Sequence, residues 1–98
     1  MDKSTVIARL RDHEPDLKAA GVTRLALFGS VARGDASANS DVDLMADFDP
    51  AREFSLLDRV RLENRLADIL GVPVDLTPAQ SVKDGIRERV DREAVLAF

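Results

Sequence analysis

Asp41 and Asp43 stand one residue apart in a stretch, Asp41 to Phe48, whose residues alternate in character. Val42, Leu44, Ala46 and Phe48 fall on one side and Asp41, Asp43, Met45 and Asp47 on the other, the period-two pattern of a strand with one apolar and one acidic face. Carboxylates at i and i+2 project from the same face, about 7 Å apart at their Cα atoms. Like charges so close destabilise each other unless a cation lies between them. Asp75 supplies a third acid, flanked by Val74 and Leu76 in another short apolar run. If that run pairs beside the first, three carboxylates converge. Such an all-oxygen cluster suits Mg²⁺ or Mn²⁺, which keep several waters and take their remaining ligands from substrate phosphate.

Gly29-Ser30 follows the apolar run Arg24 to Phe28. A glycine there lets the chain turn sharply as the strand ends, and a helical turn after it presents free N–H groups to an anion. Ser30 adds a hydroxyl that can bond a phosphate oxygen. Arg33, one turn on, can either reach the same anion or brace an acid such as Asp35 or Asp43. Gly-Ser after a strand and Asp-x-Asp at a strand start are each weak signals. Their joint spacing, Gly29-Ser30, ten residues, then Asp41-x-Asp43, arises by chance in a chain this long roughly once in a thousand. Competing motifs fail. Gly29-x₄-Gly34 lacks the Lys-Ser/Thr of a P-loop, the acids near Asp41 lack the Gly and Glu of an EF-hand, and no Gly-x-Ser-x-Gly is present.

These residues need a scaffold, and the patterning supplies one. Val6, Ile7 and Leu10 predict an amphipathic first helix after Ser4 or Thr5, broken at Glu14-Pro15, with a second helical turn ending at Gly21. His13, in the break, is assigned no role. Arg24 to Phe28 reads as a central strand, Ser30 to Arg33 as a short helix ending at Gly34, and Asp35 to Ser40 as a polar loop. Ser55 and Asp58 form a capping box that opens a helix running to Leu70, with Gly71 behind it. That helix carries two apolar stripes, Leu56, Leu57, Val60 and Ala67, then Leu62, Leu66, Ile69 and Leu70. One suits the sheet and the other a neighbouring helix or a partner. Val72 to Leu76 predicts a third strand, stopped by Thr77-Pro78. A second box, Ser81 with Asp84, opens a last helix with Val82, Ile86, Val90 and Leu96 at helical spacing. The order is α-β-α-β-α-β-α in one domain, residues 1–98, an α/β arrangement of three strands flanked by helices. Pattern alone leaves the mutual direction of the first two strands open.

Composition narrows the function. The chain is 45% hydrophobic and 33% charged, which fits a folded domain. The absence of cysteine excludes disulfides, thiolate zinc sites and a cysteine nucleophile. A charged start without a long apolar run argues against a signal peptide or membrane span and favours the cytoplasm. Residues 35–58 set Arg52 alone against seven acids, whereas residues 59–98 balance at seven each. The acidic centre repels bare nucleic acid and suits a site that first binds divalent metal.

The hallmark Gly-Ser-x₁₀-Asp-x-Asp, with Ala32-Arg33-Gly34, Ser40 before Asp41 and Asp75 downstream, resembles the minimal nucleotidyltransferases (MNT domains) of the polymerase-β-like superfamily. The resemblance covers essentially the whole chain and implies a mixed sheet. It implies that Asp41 and Asp43 hold two Mg²⁺ ions, with Mn²⁺ as an alternative, while Gly29 and Ser30 grip the β- and γ-phosphates of ATP, with Arg33 and Ser40 in the same phosphate-binding set. Asp75 would ligand the catalytic metal and help deprotonate the attacking hydroxyl, giving adenylylation. Members of this size are typically antitoxins that bind a HEPN-domain toxin as a hetero-oligomer and adenylylate it on a tyrosine. Larger relatives carry a helical domain that holds the base and acceptor, and a chain this short is expected to lack one. An antitoxin that only masks its partner is the alternative reading, and transfer to RNA or a small molecule a weaker third.

Overall fold

Leucines at period two in neighbouring strands build the centre of the fold. A computed structural model describes residues 2–34, 41–79 and 92–98. Its elements are α1 (Lys3–Asp12), α2 (Glu14–Ala19), β1 (Val22–Phe28), α3 (Gly29–Arg33), β2 (Val42–Phe48), α4 (Leu56–Leu70), β3 (Val74–Pro78) and β4 (Val95–Leu96). The sheet order is β3-β2-β1-β4. β1 runs antiparallel to β2 and to β4, while β2 and β3 run parallel. The direction that pattern left open is thus antiparallel, and the sheet is mixed.

Register aligns Leu27 with Leu44 and Leu44 with Leu76, and all three are fully buried. Val6 and Leu10 of α1, Leu17 of α2, and Leu62, Leu66 and Leu70 of α4 belong to the same core cluster. The acidic side chains of β2 therefore belong to the other face. Each Leu buried in this way contributes about 1.5–3 kcal/mol relative to exposure.

Four differences from expectation bear on the fold. α1 starts at Lys3 because Asp2 caps it, its carboxylate accepting from the Thr5 N–H at 2.8 Å. β1 starts earlier, at Val22, and its register with β2 shifts between Val22 and Arg24. β3 spans Val74–Pro78 rather than Val72 to Leu76. It is an edge strand, so the missing N–H of Pro78 leaves no ladder bond unmade on the outer side.

The fourth difference is a strand. Leu96 does not extend a helix, since residues 92–93 are helical and Val95–Leu96 form β4. Among the described residues the sheet consequently has four strands, not three. The free edge of β1 requires partners for its backbone groups. The Ala97 N–H donates to Leu25 O at 2.8 Å, and the Leu25 N–H donates to Phe98 O at 3.2 Å. Arg11 Nε donates to Ala97 O at 2.7 Å, tying α1 to this segment. The box at Ser81 and Asp84 and the positions Val82, Ile86 and Val90 lie outside the described residues, as does the loop Asp35 to Ser40.

α4 keeps its expected caps. Ser55 accepts from the Asp58 N–H and Asp58 accepts from the Ser55 N–H, while Gly71 takes φ 75° behind the last turn. Leu62, Leu66 and Leu70 face the core, whereas Leu56, Leu57 and Val60 are exposed. No helix among the described residues is long and apolar enough to cross a membrane. The two stripes of α4 predict opposite mutational outcomes in urea unfolding. Leu66→Ala should cost about 2–5 kcal/mol by leaving a cavity. Leu57→Ala should stay within about 0.5 kcal/mol, as surface changes do.

Candidate active site

Three strands bring the chemically capable residues into one row. Phe28, the last residue of β1, pairs with Asp43 of β2, and Asp43 pairs with Asp75 of β3. Directly paired residues share a face, so Asp43 and Asp75 are neighbours across about 4.8 Å of sheet. Asp41 precedes β2 and is exposed, as is Asp75, whereas Asp43 is half-buried. The parallel pairing of β2 with β3 is what carries Asp75 to a residue 32 positions away in sequence.

Gly29 joins this row to α3. It takes φ 75°, which disfavours any side chain. A Cβ on Gly29 would also run into the Asp43 carboxylate, with Asp43 Cγ 3.1 Å and Cβ 3.2 Å away. Glycine is therefore required twice, once for the turn and once for the close approach of the acid. α3 then begins without a side-chain cap, so its first N–H groups and the half-buried Ser30 stand beside Asp43's end of β2. Gly34, at φ 82°, closes the turn.

The charges feel one another. Burial raises the Asp43 pKa above the ordinary carboxylate value, and the negative charges of Asp75 and Asp41 push it the same way. Arg33 acts in the opposite direction. Its guanidinium also lies 3.9 Å from Glu93 Oε2, so it bridges between the acids and the carboxyl-terminal segment. The sequence held no pattern that pointed to Glu93. Ser40 lies outside the described residues.

All-carboxylate donors on adjacent strands have the chemistry of a hard divalent cation site. Among the described residues, no three acidic or histidine side chains are gathered tightly enough to grip an ion as they stand.

Over residues 5–97 the chain matches the nucleotidyltransferase domain family. It is 41% identical over 87 residues to the protein adenylyltransferase MntA of Thermococcus cleftensis, covering 88% of this chain and 86% of that one. A solved structure described as a candidate minimal nucleotidyltransferase superposes with a TM-score of 0.78 at 43% identity, over 97% of this chain and 95% of its own. A crystal structure of a toxin–antitoxin with AMP-PNP superposes with a TM-score of 0.70 at 26% identity, over 100% of this chain and 73% of its own.

The raised Asp43 pKa predicts a pH-dependent stability. A folded-state pKa above the unfolded value means that the folded chain holds the proton more tightly. Stability then falls as pH rises from the unfolded pKa through the folded one. In metal-free buffer at pH 7, Asp43→Asn should melt higher than the wild type. The difference should disappear below the ordinary carboxylate range, as measured by thermal melts across pH.

Proposed function

The chain belongs to the nucleotidyltransferase domain family, and from that premise we propose that it adenylylates a hydroxyl of a partner protein. The donor is ATP, the partner a HEPN-domain toxin, the acceptor a tyrosine, and the chain its antitoxin in a cytoplasmic hetero-oligomer. One observation carries the reading. Asp43 is placed beside Asp75 by strand register and against the turn at Gly29 by contact. A relative's name, a protein adenylyltransferase, and a structural neighbour's toxin–antitoxin pairing with AMP-PNP support the same reaction class.

Asp41, Asp43 and Asp75 would hold Mg²⁺ or Mn²⁺. Bound there, the ions would offset phosphate charge and stabilise the attacking and leaving oxygens. The N–H groups opening α3 and the Ser30 hydroxyl would bind the β- and γ-phosphates of ATP. Arg33 would reach the same phosphates, and Ser40 would join that set. Asp75, exposed to solvent, would take the proton of the acceptor hydroxyl. The acceptor oxygen then bonds to the α-phosphorus as the bond from that phosphorus to the bridging oxygen breaks, and pyrophosphate leaves. The acidic centre of the chain discourages direct nucleic-acid binding.

Labelled ATP, Mg²⁺ and the product of the gene neighbouring this chain's own, the proposed toxin, provide the test. Label should appear on the toxin and fall at least about 100-fold with Asp41→Asn/Asp43→Asn, in line with lost charge stabilisation. Equal labelling by that variant, or none by the wild type, contradicts the reading. The exposed leucines of α4 favour a second reading, neutralisation by binding alone. Restored growth of toxin-expressing cells by the same double variant would select it.

A further inference from the structure

The carboxyl-terminal segment reaches the carboxylate row from the side of β1 opposite β2. β4 pairs Leu96 with Ala26 and Val95 with Leu27, antiparallel. The residues just before β4 therefore approach the end of β1, where Phe28 stands level with Asp43 and Gly29 opens α3. Backbone and side-chain bonds fix the segment there. The Ala97 N–H donates to Leu25 O at 2.8 Å, and the Leu25 N–H to Phe98 O at 3.2 Å. Arg11 Nε donates to Ala97 O at 2.7 Å. Glu93, two residues before Val95, is thereby carried to α3, and its Oε2 lies 3.9 Å from Arg33 Nη1.

Stability does not account for that pair. Arg33 and Glu93 are 48% and 44% exposed, and ion pairs so open to water add little to folding. Their position is more telling. Arg33 is three residues from Ser30 and on the same side of α3. Its charge also acts on Asp43. A guanidinium between two acids is drawn to both. Drawn wholly onto Asp43, it would cover oxygens that a divalent cation needs. Glu93 provides the opposing pull. The planar fork of five N–H donors lets an arginine face one acceptor while other nitrogens meet a second.

We propose that Glu93 is a positioning residue for nucleotide binding. It holds the Arg33 guanidinium off the aspartates. Their oxygens then stay open to a divalent cation, and other N–H groups of Arg33 meet the phosphates of the nucleotide. Cation and nucleotide both rest on the transferase reading above. Glu93 contacts neither and acts through Arg33.

A double-mutant cycle on the full chain tests this, with calorimetry reading the affinity for a non-hydrolysable ATP analogue in the presence of Mn²⁺. Glu93→Ala should weaken binding about fivefold, and Arg33→Ala about tenfold. In the Arg33→Ala background, Glu93→Ala should have no further effect. Glu93→Asp, which keeps the charge, should recover part of the loss. Without ligand, Glu93→Ala should melt with the wild type. Unchanged affinity, an effect of Glu93→Ala that persists without Arg33, no recovery by Glu93→Asp, or a lowered melting temperature overturns the proposal. Failure of the wild type to bind the analogue overturns it together with the transferase reading. AMP transfer to the partner protein, measured separately, distinguishes the two claims. Analogue binding that follows the cycle while the wild type transfers no AMP contradicts the transferase reading alone. Transfer by a wild type whose analogue affinity is insensitive to Glu93→Ala contradicts only the role of Glu93.

Discussion

The parallel pairing of β2 with β3 is the constraint on which the site depends. It sets Asp43 level with Asp75, two negative charges on neighbouring strands of one face. Left alone, that arrangement is unfavourable: burial first, and then the negative charges of Asp75 and Asp41, raise the Asp43 pKa. A structural role would be better served by an apolar or neutral pair at the same register. Under the proposed function the acids would be ligands whose repulsion a cation relieves. Shifting β3 by one residue would turn Asp75 to the opposite face and bring an apolar neighbour in its place.

The remaining elements hold that register. The fully buried row Leu27, Leu44 and Leu76 locks the other face of the same three strands. The Val42 N–H donates to Pro73 O at 3.0 Å, fixing where the pairing begins. Arg9 donates to Leu70 O at 2.9 Å, closing the end of α4 just before the chain turns into β3. α4 therefore serves both ends of the molecule. Its last turn sets the entry to the acidic strand, and its first turns carry the exposed leucines.

Much of this was legible in the residues because it is local. Alternation along Asp41 to Phe48 marked both faces of β2, and the Ser55–Asp58 box marked the start of α4. Gly29 declared a turn, though its second reason, the Asp43 carboxylate lying where a Cβ would be, needed three dimensions. The Asp43–Asp75 pairing stood as a condition in the sequence and became geometry only through a non-local parallel ladder. β4 was not legible, because Leu96 fits helical spacing as well as strand spacing. Only the open edge of β1 decides between them. The contact of Arg33 with Glu93 joins distant segments and has no sequence pattern at all.

The most direct test of the account asks whether the aspartate row binds nucleotide through metal. Thermal melts would be recorded with Mn²⁺ alone, with a non-hydrolysable ATP analogue alone, and with both. If the row is the metal site, the two together stabilise the chain by more than the sum of their separate effects. Asp75→Asn, although remote in sequence from Asp41 and Asp43, removes most of that excess. Equal stabilisation by the analogue without metal, or an Asp75→Asn variant indistinguishable from the wild type, would contradict it.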